Sequence, residues 1–278
     1  MKRVGIIYHP KIATAKNLAE QLSQFLPSLN ASAWLCSAWE EEKVREQVPG
    51  TDLALSIGGD GTILRVARAV VPWEILILGI NLGRLGFMTE LRAEEVRAQL
   101  PALLAGEGWI EERAMLQAEI LPAGKEGVNT QFHALNDVMV GRGAIPRVVY
   151  IKTTIDGEEL AISKADGIIV STATGSTGYS LAIGGPVLYP QSKDILLKPI
   201  SAHLTMAHAL VLPSTAKIEL EVHTDYDALL SIDGQVNLPL GDGDKVKVKR
   251  SPYRARFLRI HSATSFYSSL EKKLRGKS

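Results

Sequence analysis

The sequence predicts two domains of different class, an N-terminal α/β domain on a parallel sheet followed by a mostly antiparallel β-rich domain. Two observations predict this. Over the first hundred residues, apolar runs of strand length alternate with amphipathic stretches of helical period. From Trp109 onward the period is nearer two, and turn signals recur. A chain of 278 residues suggests about two domains, each large enough to bury its own core.

The first strand is read over Lys2-Tyr8. It is followed by a helix over Ala13-Leu26, where Leu18, Leu22 and Phe25 recur at helical spacing. Ala31-Cys36 reads as a second strand, Glu40-Val48 as a short charged helix and Leu53-Ile57 as a third strand. That strand runs into Gly58-Gly59-Asp60-Gly61-Thr62, after which Ile63-Val71 reads as a helix closed by Pro72. Ile75-Ile80 completes the strands and Glu94-Leu104 the helices. A βαβα succession implies a parallel sheet covered on both faces. Ligands of such sheets bind beyond the carboxyl ends of the strands, where the 58–62 loop must lie.

The second domain is read from Met115-Ile120, Val148-Lys152 and Lys245-Lys249, with turns at Asp156-Gly157, Asp166-Gly167, Asp233-Gly234 and Gly241-Asp242-Gly243. Ser265-Arg275, with Phe266, Leu270 and Leu274 four apart, reads as a last helix. The domains are placed at 1–106 and 107–254.

Composition excludes several functions. The chain is 46% apolar and 22% charged, and 31 basic residues against 30 acidic ones leave a formal charge of +1. A protein that coats nucleic acid or an anionic membrane needs a net basic footprint, so neither partner is expected. Cys36 is the single cysteine, which rules out a disulfide framework and suits a reducing compartment; a cytoplasmic protein is expected. The apolar run at Val4-Tyr8 is too short for a signal peptide. The uncharged stretch Gly167-Ser192 is long enough to span a bilayer, but Ser, Thr, Gly and Pro fill it. There is no Walker loop, no G-x-G-x-x-G fingerprint, no metal-ligand spacing among the six histidines, and no G-x-S-x-G elbow around Ser176.

Three clusters could carry chemistry. In Gly58-Gly59-Asp60-Gly61-Thr62, the glycines let a ligand approach the backbone, and the N–H groups of the following helix start offer a phosphate cradle. The carboxylate of Asp60 would repel phosphate unless it accepts a proton or faces a metal, which suits phosphoryl transfer. The alternative is an Asx turn in which Asp60 only caps the helix. Ser171-Thr172-Ala173-Thr174-Gly175-Ser176-Thr177-Gly178-Tyr179-Ser180 packs enough hydroxyls to line a nucleotide pocket, with Tyr179 as a flat face, or else is a loop over the sheet. Asn136-Asp137 sits in the apolar run Phe132-Val140, where two polar neighbours must be satisfied, by a ligand or by an edge turn.

Taken in this order, these clusters with Asp166-Gly167 resemble the NAD kinase family. Leu82-Gly83-Arg84-Leu85-Gly86-Phe87, Gly184-Gly185-Pro186 and Asp233-Gly234-Gln235 extend the resemblance over nearly the whole chain. A G-G-D-G-T loop is shared with diacylglycerol and sphingosine kinases; the Asn136-Asp137 pair and the T-G-S-T-x-Y-S run narrow the choice. The resemblance implies a Rossmann-like first domain, a β-rich second domain that binds NAD, and a tail, 255–278, returning to the first domain. It implies transfer of a terminal phosphoryl group from ATP or polyphosphate to the 2′-hydroxyl of the adenosine ribose of NAD, giving NADP, with the NAD in a cleft between the domains.

By the same resemblance Asp60 is the catalytic aspartate, taking or orienting the 2′-hydroxyl proton. Gly58, Gly59 and Gly61 give N–H contacts to phosphates, and Arg65, one turn beyond Asp60, reaches a phosphate oxygen. Asn136 and Asp137 hold the adenosine ribose. Asp166, Thr174, Thr177, Gly178 and Tyr179 surround the adenine, ribose and nicotinamide groups, with Ser180, Leu181 and Ala182 beside them. Arg147, Lys164 and Gln235 add nucleotide contacts. A divalent cation, Mg²⁺, bridges the donor's phosphates without assigned protein ligands, and the chain is a homodimer or homotetramer. The sequence departs from the family pattern at Ala173 for proline, Gly178 for alanine and Asp137 for glutamate. In His203-Val211, His208 and Ala209 stand where an arginine and a proline are common.

Two other functions fit parts of the pattern. A lipid kinase would share the first loop but would need an apolar groove or basic membrane-facing patch that the charge balance and the hydroxyl-rich run do not supply. A dinucleotide sensor without turnover would keep the pocket, yet Asp60 is retained.

Overall fold

The computed structural model describes residues 1–83, 86–124, 130–143, 147–201 and 208–274; Arg84 and Leu85 of the Leu82-Phe87 motif, and His203–Ala207 of the atypical segment, lie outside the described residues. The chain divides into two compact units, Met1–Glu112 with Ala255–Ser278, and Arg113–Arg254. The crossing lies inside a strand, at Glu112 and Arg113, beyond the Gly106-Gly108 region where the period changes.

The first unit carries β1 (Arg3–Tyr8), α1 (Ala13–Phe25), β2 (Ser32–Ser37), α2 (Glu41–Gln47), β3 (Leu53–Ile57), α3 (Asp60–Val70), β4 (Leu76–Asn81), β5 (Leu91–Arg92) and α4 (Val96–Leu104). β1 pairs in parallel with both β2 and β3, and β3 with β4. The order β2-β1-β3-β4 reverses direction between β1 and β3. All five residues of β3 are buried, as expected of a parallel strand covered on both faces. Val4, Ile6, Leu53, Leu55, Ile57, Leu78 and Ile80 form one core with Ala15, Ala19 and Leu22 of α1 and Leu100 and Leu103 of α4. Cys36 is a buried structural thiol, and burial raises its pKa.

The last strand, β17 (Lys245–Arg259), brings the chain back, pairing Arg256 and Phe257 in parallel with Leu76 and Ile77 of β4. A helix over Ser265–Leu274 follows. Among the described residues no helix is long and apolar enough to cross a membrane.

The second unit receives β6 (Trp109–Leu121) from the first unit and adds β7 (Thr130–Ala134), β8 (Asp137–Arg142), β9 (Val149–Ile155), β10 (Glu158–Ala165) and β11 (Gly167–Ser171). After a short helix, α5 (Tyr179–Ala182), come β12 (Ile195–Ile200), β13 (Leu210–Leu212), β14 (Ile218–His223), β15 (Ala228–Ile232) and β16 (Val236–Leu240). Strands β8 to β16 and the start of β17 pair antiparallel among the described residues. One sheet has the order β13-β12-β11-β8-β15-β16. The other layer sets β10, β9, β14 and the start of β17 side by side. Val138, Val140, Ile168, Val170, Leu230 and Ile232 of the first layer share a core with Val149, Ile151, Leu220, Val222, Val246 and Val248 of the second. Alternation of buried and exposed positions along β14 and β17 is the period-two signal seen in the sequence.

Candidate functional site

In the first unit, the 58–62 loop sits at the carboxyl end of β3, beside the point where strand order reverses. Gly58 donates its N–H to the Ile80 carbonyl at 2.9 Å, which ties the loop to β4. A Cβ on Gly58 would lie 2.3 Å from Thr62 Oγ1, so this glycine is demanded by the protein's own packing. Around Gly59 and Gly61 a Cβ would meet nothing within 4 Å; these two leave open space at the helix start. α3 begins at Asp60, three residues before Ile63. Gly59 caps it through its carbonyl, which accepts the Thr62 N–H at 2.9 Å, and has no side chain to add.

Asp60 is therefore inside the helix and not its cap. Its carboxylate turns away from α3 and accepts the N–H of Phe87 at 2.8 Å on Oδ2 and that of Met88 at 3.1 Å on Oδ1. A Cβ on Gly86 would fall 2.2 Å from Oδ1, so only glycine lets this segment close on the aspartate. Each carboxylate oxygen still has acceptor capacity for a further donor. Arg65 lies about 140° round the helix from Asp60 at 100° per residue. Its guanidinium rests 4.2 Å from the centre of the Trp39 ring, and Trp39 packs edge-on against His9 at 4.6 Å. Burial, then repulsion from Arg68, lowers the Arg65 pKa.

In the second unit, Asn136-Asp137 opens β8. Asp233, in a left-handed turn after β15, accepts three backbone N–H groups there: Leu135 at 3.0 Å on Oδ2, and Asn136 at 2.7 Å and Asp137 at 3.1 Å on Oδ1. The return bond, Asp233 N–H to the Asp137 carbonyl at 2.9 Å, closes the pair. Thr172 donates its hydroxyl to the Leu135 carbonyl at 2.6 Å and accepts the Gly175 N–H at 3.1 Å, which stitches the hydroxyl-rich turn onto Asn136-Asp137. A Cβ on Gly175 would be 2.2 Å from the Asn136 carbonyl oxygen, while one on Gly178 would be 3.5 Å from Asn136 Nδ2. Thr174 Oγ1 accepts from the buried Arg113 at 3.2 Å, and Thr177 Oγ1 donates to the Thr174 carbonyl at 3.1 Å.

Two polar atoms here are buried without a partner among the described residues, Asn136 Oδ1 and Ser180 Oγ. Asp137 is also buried, and burial together with repulsion from Asp233 pushes its pKa up to about 7. A buried carboxyl and an orphaned amide oxygen side by side are what a ligand bearing hydroxyl or N–H donors would satisfy.

The structure thus gathers Asn136, Asp137, Thr174, Thr177 and Gly178 around one turn, with Ser180 buried in the following α5, where Tyr179 and Ala182 are exposed and Leu181 is half-buried. Gln235 closes the Asp233 turn by donating its N–H to Ile232 at 2.9 Å. Asp166 stands elsewhere. Asp137 pairs with Ser171 and Gly141 with Gly167, so Asp166 lies at the opposite end of β8, about 17 Å away at 3.4 Å per residue, bound to Arg142 at 3.0 Å. Arg147 and Lys164 line a separate 600 Å³ cleft with Tyr150 and Tyr226. Asp233, Thr172, Arg113 and Gly86 were not among the site residues that sequence alone assigns. Asp233 and Gly86 did stand in the motifs, as a turn signal and a loop glycine.

Residues 13–108 match the model of the ATP-NAD kinase N-terminal domain, and residues 135–260 that of the ATP-NAD kinase C-terminal domain. The chain is 46% identical over 275 residues to the NAD kinase of Dehalococcoides mccartyi strain CBDB1, covering 99% of this chain and 96% of that one. It is 36% identical to the NAD kinase of Chloroflexus aurantiacus J-10-fl, covering 99% of each. Among solved structures, an NAD kinase from Archaeoglobus fulgidus in complex with ATP superimposes with a TM-score of 0.75 at 26% identity, over 99% of this chain and 100% of that one. Yeast NADH kinase complexed with NADH gives 0.83 at 24% identity, over 100% and 89%, and shows the shared fold.

Asp137 makes stability depend on pH in a stated direction. Its pKa in the folded chain is about 7 against an ordinary 3.8, so between these values the native state holds a proton that the unfolded state has lost. The stabilisation is complete below about pH 4 and is lost as pH rises through 7. Urea unfolding at pH 5 and pH 8 should show Asp137→Asn gaining stability on the parent at the higher pH. Asp233→Ala should lose about 3 kcal/mol or more, because three buried N–H groups lose their acceptor.

Proposed function

The chain belongs to the NAD kinase family, and from that premise we propose that it transfers the terminal phosphoryl group of ATP, or of polyphosphate, to the 2′-hydroxyl of the adenosine ribose of NAD, producing NADP. The observation that carries the assignment of the base is the Asp60 carboxylate, held in place by the Phe87 and Met88 N–H groups with acceptor capacity to spare. In this reading Asp60 accepts the 2′-hydroxyl proton as that oxygen attacks the phosphoryl group in line. The open space beside Gly59 and Gly61 admits phosphate oxygens to the first turn of α3, whose dipole favours negative charge. Arg65 supplies a cation to a phosphate oxygen.

Asn136 and Asp137 hold the ribose. A ribose hydroxyl that donates to Asp137 favours its ionised form, and the buried Asn136 Oδ1 gains the donor it lacks. The Thr174–Ala182 segment lines the nucleotide, and Arg147, Lys164, Asp166 and Gln235 are assigned further nucleotide contacts. Among the described residues no group of three or more His, Cys, Asp or Glu side chains is placed to hold a metal ion. Mg²⁺ would be carried on the donor's phosphates and would neutralise their charge, and no residue of the chain is assigned to it.

A cytoplasmic homodimer or homotetramer completes the proposal. The buried thiol of Cys36 suits a reducing compartment. The exposed Leu160 and Ile162 on edge strand β10 support association.

The direct test is NADP formation from two donors, ATP and polyphosphate, against two acceptors, NAD and NADH. Asp60→Asn should lower kcat about 100-fold or more with the fold intact; a rate within a few-fold of the parent would remove Asp60 from its role. Gly86→Ala should lower kcat about tenfold or more at near-constant KM for NAD, since the added Cβ displaces the carboxylate. NAD should bind about tenfold more tightly at pH 8 than at pH 6, following ionisation of Asp137, and Asp137→Asn should flatten that dependence in calorimetric titrations.

A further inference from the structure

Beneath the loop that holds Asp60 lies a buried charge cluster that the reaction scheme above does not use. Arg259, at the end of β17, is only 5% exposed. Its Nε donates to Glu111 at 2.7 Å and its Nη1 to Glu90 at 3.0 Å. The same Nη1 also donates to the Met88 carbonyl at 2.8 Å. Met88 is the residue whose N–H reaches Asp60 Oδ1.

The flanking residues are pinned as well. Gly86 donates its N–H to Thr89 Oγ1 at 2.9 Å, and Glu90 donates its own to the Gly79 carbonyl at 2.8 Å. Glu90 in turn accepts the Ile260 and His261 N–H groups, each at 2.8 Å. The Met88 carbonyl and Glu90 hold the chain on the C-terminal side of Met88, and the Gly86 N–H bond to Thr89 ties down the N-terminal side, which restricts the Phe87–Met88 peptide whose N–H points at the carboxylate.

We propose that Arg259 is a positioning residue for phosphoryl transfer: through the Met88 backbone, whose carbonyl it binds and whose N–H reaches Asp60, it holds the Asp60 carboxylate in the orientation that accepts the 2′-hydroxyl proton. A guanidinium suits this task because its planar fork spans two carboxylates and a carbonyl at once, which a lysine ammonium on a flexible stem does not. Two buried carboxylates offset its charge, so the cation stays in a site it could not otherwise occupy. The step from the last strand to the base is short, one side chain and one residue of backbone.

This inference rests on Asp60 acting as the base, and the test separates the two. Steady-state kinetics with NAD and ATP are measured for Arg259→Lys and Arg259→Met, alone and combined with Asp60→Asn, with circular dichroism to confirm the fold. Arg259→Met should lower kcat about 100-fold, as a displacement of the base by about 1 Å would, with KM for NAD within about twofold; Arg259→Lys should fall between it and the parent. In the Asp60→Asn background either substitution should change the residual rate less than about twofold, because the group it positions is already gone. An equal loss in both backgrounds, or a loss confined to KM, overturns the role of Arg259 while leaving Asp60 in place. If Asp60→Asn alone is harmless, the reading of the base itself fails. Where Arg259→Met does not fold, Arg259→Lys, which keeps the buried charge, carries the same comparison.

Discussion

The site in the first unit depends on two hydrogen bonds, from the N–H groups of Phe87 and Met88 to the Asp60 carboxylate. A carboxylate beside a phosphate cradle is an electrostatic contradiction unless something holds it away from the anion and ready for a proton. Backbone N–H groups from a segment 27 residues away fix the orientation of this carboxylate without adding a competing side chain. The glycines divide accordingly. Gly58 and Gly86 lack a Cβ because Thr62 and Asp60 occupy that space, whereas Gly59 and Gly61 leave space that nothing among the described residues fills. One motif thus combines glycines for packing with glycines for access.

The second unit uses the same device with the roles reversed. Asp233 takes the three N–H groups at 135–137 and fixes the backbone, while no donor to the carboxyl of its neighbour Asp137 is seen among the described residues. Burial first, and then repulsion from the neighbouring Asp233, push the Asp137 pKa up to about 7. Sensitivity to pH near neutrality then follows from where β8 buries Asp137, with the choice of Asp233 as acceptor adding to it. Gly178, where the family commonly has alanine, spares the turn a tight contact: a methyl there would sit 3.3 Å from the Gly175 carbonyl oxygen and 3.5 Å from Asn136 Nδ2.

Much of the architecture was legible in the sequence because hydrophobic period carries it. Leu53–Ile57 was read to the residue, and β1, β2, β4 and α1 within one position at each end. The start of α3 was read at Ile63 and lies at Asp60. Periodicity cannot see a helix whose first turn is polar and glycine-rich. The motifs contained Asp60, Asn136-Asp137, Phe87 and Asp233 but not their pairing, since Phe87 reaches Asp60 across 27 residues and Asp233 reaches Asn136 across 97. Register was equally hidden: Asp166 and Ser171 are five residues apart, and only strand pairing reveals that one faces Arg142 while the other faces Asp137.

Near-neutral charge poses the remaining question of how such a chain keeps cations available for phosphates. With 31 basic and 30 acidic residues, most cations could be consumed by ion pairs. Arg65, Arg147 and Lys164 are not, among the described residues; each lies over an aromatic ring, at 4.2 Å from Trp39, 4.7 Å from Tyr226 and 5.8 Å from Tyr150. A ring face holds a cation by about 0.5–1 kcal/mol at exposed sites, enough to restrict its rotamers. It does so without neutralising the charge. A carboxylate partner would have to be displaced before phosphate could bind, whereas a cation on an aromatic face can keep its ring and accept an anion on its open side. Charge balance across the whole chain and positive charge at chosen points are therefore compatible, because aromatic rings rather than acids hold these three cations.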